Sequence, residues 1–266
     1  MLRMKIMGIL NVTPDSFYDG GRYIDLKKAV ERAEIMKKEG VDIIDIGGVS
    51  TRPGSLSPSE EEEMRRVIPV VEAIAGIGIP LSIDTFRSRV AEECFKRGVR
   101  ILNDVTALRG DRNMASLVRD YQVEVILMHM KGTPRDMQKN PEYEDVVKEV
   151  KEFFRERIDF ALQQGIKEEK IWIDPGIGFG KTLTHNLSLL RNISSFKKLG
   201  RPVLVGPSRK SFIGAILNLP PEERLFGTLG AIAWCYYQGV DMVRVHDVKE
   251  TKEMLEVMES IHNGNN

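Results

Sequence analysis

The sequence predicts an α/β fold, a single-domain (β/α)8 barrel of the TIM type, and three observations predict it. Eight short apolar runs alternate with eight amphipathic stretches along the 266 residues, a pattern that calls for parallel strands joined by helical crossovers. No low-complexity linker or exact internal repeat divides the chain, and this length suits one barrel, here one domain over 1–266 with its core at about 4–262. The turns that follow the apolar runs are polar or glycine-rich and chemically varied, whereas the opposite turns carry mostly Gly and plain polar residues. In a barrel the first set forms the active rim.

The elements follow in order. A strand is expected over 4–10, and then a helix over 26–39 that stops at Gly40. The second unit pairs strand 43–46 with helix 59–75. Ser59 with Glu62 reads there as a capping box, and the run Glu60-Glu61-Glu62-Glu63 suits the positive end of the helix dipole. Strand 81–83 precedes helix 88–97, which holds Cys94 and ends at Gly98; strand 100–102 precedes helix 113–120. Strand 124–128 leads to helix 144–164 and Gly165, and strand 170–173 to helix 187–199 and Gly200. Strand 202–205 leads to helix 222–238, where Trp234-Cys235-Tyr236-Tyr237 reads as helix packing or a subunit interface before Gly239. Strand 241–245 and helix 249–262 complete the set, ahead of a polar tail. Each glycine named follows a helical run and precedes a strand, as C-cap glycines do. An open doubly wound sheet would want a glycine-rich fingerprint after its first strand, and Ile9-Leu10-Asn11-Val12-Thr13-Pro14 contains none.

Lys+Arg and Asp+Glu both total 39, so the formal net charge is zero and no basic excess points to nucleic acid or an anionic membrane. Hydrophobic residues at 42% and charged residues at 29% are ordinary for a globular chain. No apolar run reaches the length of a membrane helix, and residues 1–5 lead into strand-like sequence rather than a signal peptide. Two cysteines, both in expected helices, do not make a disulfide framework; a reducing cytoplasm is the expected compartment.

The residues leaving the strands carry the chemistry. The run Asp174-Pro175-Gly176-Ile177-Gly178-Phe179-Gly180-Lys181 puts a carboxylate at a strand end, with a proline to fix the backbone and glycines to admit a ligand closely. Asp84, Asn103 and Asp174 supply acceptors and one amide, which suit a flat heterocycle presenting ring N–H and amino donors. Lys210 offers a donor for a carbonyl or ring nitrogen, while Arg244, His246, Arg52 and Asn11 offer cationic or metal-facing groups suited to phosphate oxygens. Two long glycine-containing loops, 11–21 and 47–55, flank the first two strands and could exclude water from a leaving anion.

Several motifs resemble dihydropteroate synthase, in the family's order and over about 7–248. They are Asn11-Val12-Thr13-Pro14-Asp15-Ser16-Phe17, Asp45-Ile46-Gly47-Gly48, Ser50-Thr51-Arg52-Pro53-Gly54, Ser82-Ile83-Asp84-Thr85, Asn103-Asp104, Met128-His129-Met130, the run from Asp174 to Lys181, Ser208-Arg209-Lys210-Ser211 and Arg244-Val245-His246-Asp247. One departure is Val49, where the family carries Glu. The resemblance implies a pterin-binding barrel that uses Mg²⁺ to condense 6-hydroxymethyl-dihydropterin pyrophosphate with para-aminobenzoate. These two small molecules are the expected substrates, and a homodimer is the expected assembly. It implies that Asp84, Asn103, Asp174 and Lys210 hold the pterin. Arg244 lies against the ring and, with His246 and Asn11, addresses the pyrophosphate and its metal; Asn11 is the expected metal ligand. Phe17, Thr51, Arg52, Pro53, Phe179, Lys210 and Ser211 border the aminobenzoate, and Met128 touches the pterin. The weakly basic amine needs no strong general base, in keeping with a sequence that shows no obvious Ser–His–Asp set. The expected course is a dissociative substitution, with Asp15 or Asp19 steadying positive charge on the pterin methylene.

Plainer readings stand beside these. Asp45 reads as a structural residue that holds the second loop and Asp104 as a partner behind the ligand contacts, His185 and His262 as surface residues, and His129 as either a rim or a loop residue. The glycine run is not a phosphate loop, since that spacing needs Gly where Pro175 stands. Two alternatives are a methyl-tetrahydrofolate-binding methyltransferase domain, which needs no pyrophosphate site, and a non-catalytic pterin-binding module.

Overall fold

The computed structural model describes residues 3–12, 21–49, 58–133, 137 and 139–264, with backbone alone for 21–25. Eight strands are present: β1 (Lys5–Asn11), β2 (Ile43–Gly47), β3 (Leu81–Asp84), β4 (Ile101–Asp104), β5 (Glu124–Met128), β6 (Ile171–Asp174), β7 (Leu204–Val205) and β8 (Met242–Val245). All pair in parallel, in the order β6-β5-β4-β3-β2-β1-β8-β7. The one remaining gap is spanned by a parallel bridge between Ile173 and Val203. The sheet is therefore a nearly closed barrel of single-domain TIM architecture.

The helices surround it: α1 (Gly21–Lys38), α2 (Glu60–Ile74), α3 (Ser88–Lys96), α4 (Met114–Tyr121), α5 (Val146–Gln163), α6 (Leu183–Arg191), α7 (Ser211–Leu217), α8 (Leu225–Tyr237) and α9 (Val248–Asn263). Their apolar faces meet the outward residues of the strands in one large buried cluster. None of the described helices is long and apolar enough to cross a membrane.

Three expectations are corrected. Helix 187–199 is two pieces, α6 and a 3₁₀ segment (Ile193–Leu199), because Asn192 returns its side-chain amide to the Ser188 carbonyl at 2.9 Å and competes with the helix. The surface reading of His185 stands, and there it also closes the capping box of α6 with Thr182. Between β7 and the expected helix 222–238 lies the additional short helix α7, so nine α-helices rather than eight occur among the described residues. Its seven residues, with Gly214 at the centre, give too short a period to read. The capping box at Ser59 is only half made. Ser59 accepts from the Glu62 N–H at 3.2 Å, but the Glu62 carboxylate turns to Arg66 at 3.0 Å. The five C-cap glycines all take positive φ, as expected.

Strand alternation explains how the fold builds a site. Met7, Ile43, Ile101, Ile126, Trp172, Leu204 and Met242 form a buried apolar plug inside the barrel. Two residues further along the same strands, again facing inward by alternation, come Ile9, Asp45, Asn103, Met128, Asp174, Gly206 and Arg244. An apolar floor thus carries a mainly polar rim, and register keeps the rim level: Asn11 pairs with Gly47, Gly47 with Asp84, and Asp84 with Asn103.

Candidate active site

Asp84, Asn103, Asp174 and Arg244 all belong to strands rather than to the loops beyond them, so their directions are set by the barrel. Arg244 donates from Nε to Asp45 Oδ2 at 2.7 Å and from Nη2 to Asp84 Oδ2 at 2.9 Å. Asp45 Oδ2 also accepts from Asn103 Nδ2 at 3.0 Å. Asp45 is fully buried; its described side-chain contacts anchor Arg244 and Asn103, a structural role at the rim, whereas the sequence suggested that it holds the second loop. Burial raises the Asp84 carboxyl to about 7; Arg244 opposes the rise, while Asp45, Glu63 and Asp104 add like charge to it. Burial would lower the Arg244 guanidinium, but Asp45 and Asp84 outweigh it and hold the side chain charged. Asp104 spends its oxygens on the Thr106 and Leu108 N–H groups and the Thr106 hydroxyl, a turn-forming role.

Across the barrel, Asp174 Oδ1 accepts from the Gly176 N–H at 2.8 Å, and its carbonyl accepts from the His129 N–H at 2.9 Å. Burial raises this carboxyl to about 6, opposed by the Gly176 N–H and then by Lys210, Lys181 and Arg244. The loop beyond it presses on the β5 exit. At Gly176, with φ of 66°, an added Cβ would lie 2.0 Å from the His129 carbonyl oxygen; at Gly180 it would lie 2.2 Å from that of Lys131. Only glycine fits either place.

Lys210 comes from the β7 side. Its Nζ sits 4.0 Å from the centre of the Phe179 ring, a cation–π contact. Burial and Arg244 lower its ammonium to about 8, against the pull of Asp174 and Asp84; both carboxylates thus act on this one cation. Arg209 aims the turn before it. The residue has a φ of 55° and is over-determined. Its N–H reaches Thr228 Oγ1 at 2.9 Å, its guanidinium grips Asp247 at 2.9 and 2.6 Å, and its carbonyl accepts from Arg224 at 3.1 Å.

His246 is pinned by Ser208, whose Oγ lies 2.9 Å from Nδ1 and accepts from the His246 N–H at 3.2 Å. Burial, then Arg244, lowers the imidazole to about 4, so it is neutral near pH 7. A Ser–His pair is therefore present where the sequence showed none. Its would-be third member, Asp247, is held by Arg209, and the hydroxyl serves as a strut.

The other expected residues fall as follows. Asn11 ends β1 level with Gly47. Met128 and Phe179 are buried in a rim cluster with Met130, Met137 and Val105. Ser211 is exposed and opens α7, next to Lys210. Phe17, Asp15, Asp19, Thr51, Arg52 and Pro53 lie outside the described residues. His129 is buried and faces Lys181. The sequence reading missed Lys181, Ser208 and Met137 as contributors; nothing in a sequence marks a lysine that will be buried without a carboxylate.

The pterin binding enzyme family matches residues 7–246. The chain is 48% identical over 256 residues to the dihydropteroate synthase of Escherichia coli (strain K12), spanning 96% of this chain and 90% of that one. The chain belongs to the dihydropteroate synthase family. Solved dihydropteroate synthases share its fold. That of Yersinia pestis with a sulfonamide drug has a TM-score of 0.93 at 42% identity, covering 99% of this chain and 95% of that one. That of Xanthomonas albilineans in complex with 7,8-dihydropteroate has a TM-score of 0.89 at 40% identity, covering 98% and 94%. Val49, the departure from the dihydropteroate synthase motif, is buried at the start of the second loop.

Proposed function

We propose that this transferase condenses 6-hydroxymethyl-7,8-dihydropterin pyrophosphate with para-aminobenzoate, giving 7,8-dihydropteroate and pyrophosphate. The observation that carries the reading is the facing of buried acceptors by cations on one rim: Asp84, Asn103 and Asp174 beside Arg244 and Lys210. The carboxylates accept from the pterin's amino group and ring N–H, and Lys210 donates to its carbonyl or ring nitrogen. Asn103, donating to Asp45, keeps its amide oxygen for the ligand. Arg244, already held charged, lies against the ring and neutralises pyrophosphate.

The substitution breaks the bond from the pterin methylene to the pyrophosphate oxygen, which leaves with the bonding electrons. The amine nitrogen forms the new C–N bond and then loses a proton to solvent. The amine is neutral at working pH, and a neutral, pinned His246 contributes a hydrogen bond rather than a base. Electron demand in substituted anilines is expected to change the chemical step little; a steep dependence would overturn the dissociative course.

Mg²⁺ fits the residues present. An added Cβ on Gly47 would lie 3.6 Å from Asn11 Oδ1 and 3.9 Å from Asp84 Oδ2, so an amide oxygen and a carboxylate oxygen border the same space beside Gly47. No cluster of three or more His, Cys, Asp or Glu that could hold a metal exists among the described residues. A single amide oxygen still suits Mg²⁺, which keeps most of its waters and takes further oxygens from phosphates. When bound, the ion would neutralise charge on the leaving pyrophosphate.

A homodimer completes the proposal. An apolar groove of about 370 Å³ runs between α6, α7 and α8, lined by Leu187, Leu190, Phe212, Ile216, Leu217 and Trp234. Ile216, Leu217 and Trp234 are each about half exposed, which favours covering by a second copy. Two buried, unpaired cysteines accord with a reducing cytoplasm. The deciding experiment is pyrophosphate release from the pterin substrate with Mg²⁺. Release that depends on para-aminobenzoate supports the reading. Pterin binding without turnover favours the non-catalytic module, and methyl transfer favours the methyltransferase.

A further inference from the structure

Lys181 is 3% exposed, although its nearest polar neighbours are all uncharged. Its Nζ donates to three acceptors: His129 Nδ1 at 2.9 Å, the Phe179 carbonyl at 2.9 Å and the His129 carbonyl at 3.3 Å. An ammonium has three N–H bonds, and this one uses all three. The acceptors come from two segments, the exit of β5 and the glycine-rich loop after β6. The same two segments touch where Gly176 meets the His129 carbonyl and where the His129 N–H donates to Asp174. The imidazole is walled in by Phe153, with ring centres 4.8 Å apart, and by Tyr143 at 6.2 Å, so it cannot swing away from the lysine. Tyr143 in turn donates to the Gly180 carbonyl at 2.9 Å.

Burying a cation without a carboxylate partner is costly. A strut could be made from an amide or an apolar side chain, and an amide nitrogen offers only two donors. What the lysine adds is a third tie and a charge. Phe179, whose carbonyl it holds, is the ring under Lys210, and Asp174, whose carbonyl is bonded to His129, is the acceptor for the pterin's amino edge. The charge of Lys181 favours the ionised form of Asp174, while burial lowers the lysine itself to about 7.

We propose that Lys181 is a positioning residue for the pterin slot, its buried ammonium tying the β5 exit to the β6 loop at three points and thereby setting Phe179 and Asp174 for the ligand. The inference rests on the pterin assignment above, which binding by the parent enzyme tests separately. If the parent fails to bind a pterin, that assignment fails; if the parent binds and the variants bind equally well, only the role of Lys181 fails.

The test uses Lys181→Met and Lys181→Gln in the full chain, with pterin affinity by titration calorimetry, steady-state kinetics and melting temperature. The expected result is a loss of pterin affinity of about tenfold or more in Lys181→Met and a smaller loss in Lys181→Gln. KM for the pterin substrate should rise in step, while kcat at saturation stays within about threefold. A lowered melting temperature with parental affinity and KM would make Lys181 a fold strut only and overturn the proposal. His129→Leu removes one acceptor and leaves both carbonyls, so it decides the matter if Lys181→Met does not fold. About a threefold loss of pterin affinity is expected there, and parental affinity would overturn the proposal.

Discussion

In the pterin assignment proposed above, Asp174 would meet its ligand with one oxygen already bonded to the Gly176 N–H and a pKa raised to about 6 by burial. Exchanging it for Asn turns one acceptor into a donor. Asp174→Asn should weaken pterin binding by about 1.5–3 kcal/mol, the worth of a charge-assisted hydrogen bond, read by calorimetric titration; unchanged affinity would remove Asp174 from the slot. Its pH behaviour follows from the direction of the shift. The folded carboxyl binds its proton more tightly than the ordinary 3.8, so it stabilises the ligand-free fold at low pH, and that contribution is lost as pH rises through about 6. A pterin presenting N–H groups favours the ionised form. Affinity should therefore climb with pH through about 6, with proton release on binding that shrinks toward pH 8. Calorimetry in buffers of different ionisation enthalpy measures that release. Asp84, at about 7, should extend the same trend upward, and a pterin affinity independent of pH from 5 to 8 would contradict both assignments.

At the scale of elements, the loop after β6 is fixed by contact rather than by its own preferences. Gly176 faces the His129 carbonyl with no room for a methyl group and has a φ of 66°. Gly176→Ala should cost more than about 1 kcal/mol of stability, because the new residue suits neither the space nor the backbone angle. Pterin affinity should fall with it, since Asp174 Oδ1 holds that residue's N–H. Chemical denaturation with a parallel pterin titration checks both, and parental values would show that the loop relaxes freely. The turn before α7 follows the same logic, with Arg209 kept in a left-handed conformation by Thr228, Asp247 and Arg224 so that Lys210 faces the rim.

For the whole molecule, the barrel divides labour between its ends and its sides. The rim gathers the buried carboxylates and the cations beside them, and α6, α7 and α8 carry an apolar groove. α7 belongs to both, since it starts just after Lys210 and bears Ile216, which is 54% exposed. If the groove meets a second copy as proposed, Ile216→Glu should place a charge in that face and give the mass of one chain in light scattering where the parent gives twice that. A parent of single-chain mass would refute the dimer outright. Loss of activity in the monomeric variant would show that the subunit contact supports the turn at Lys210.

By itself the sequence determined the barrel and which residues stand at its strand ends. The period of its apolar runs, the C-cap glycines and the polar strand ends are local properties that survive in one dimension. Asp84, Asn103, Asp174, Lys210 and Arg244 were legible because a strand end has a defined place in this architecture. Tertiary structure alone decided who pairs with whom. Arg244 is shared by Asp45 and Asp84, His246 is pinned by Ser208, and Lys181 is closed in by His129 and Phe179. These contacts join residues far apart in the chain, and the shifts of their protonation follow from burial, which arises only when the barrel closes around them.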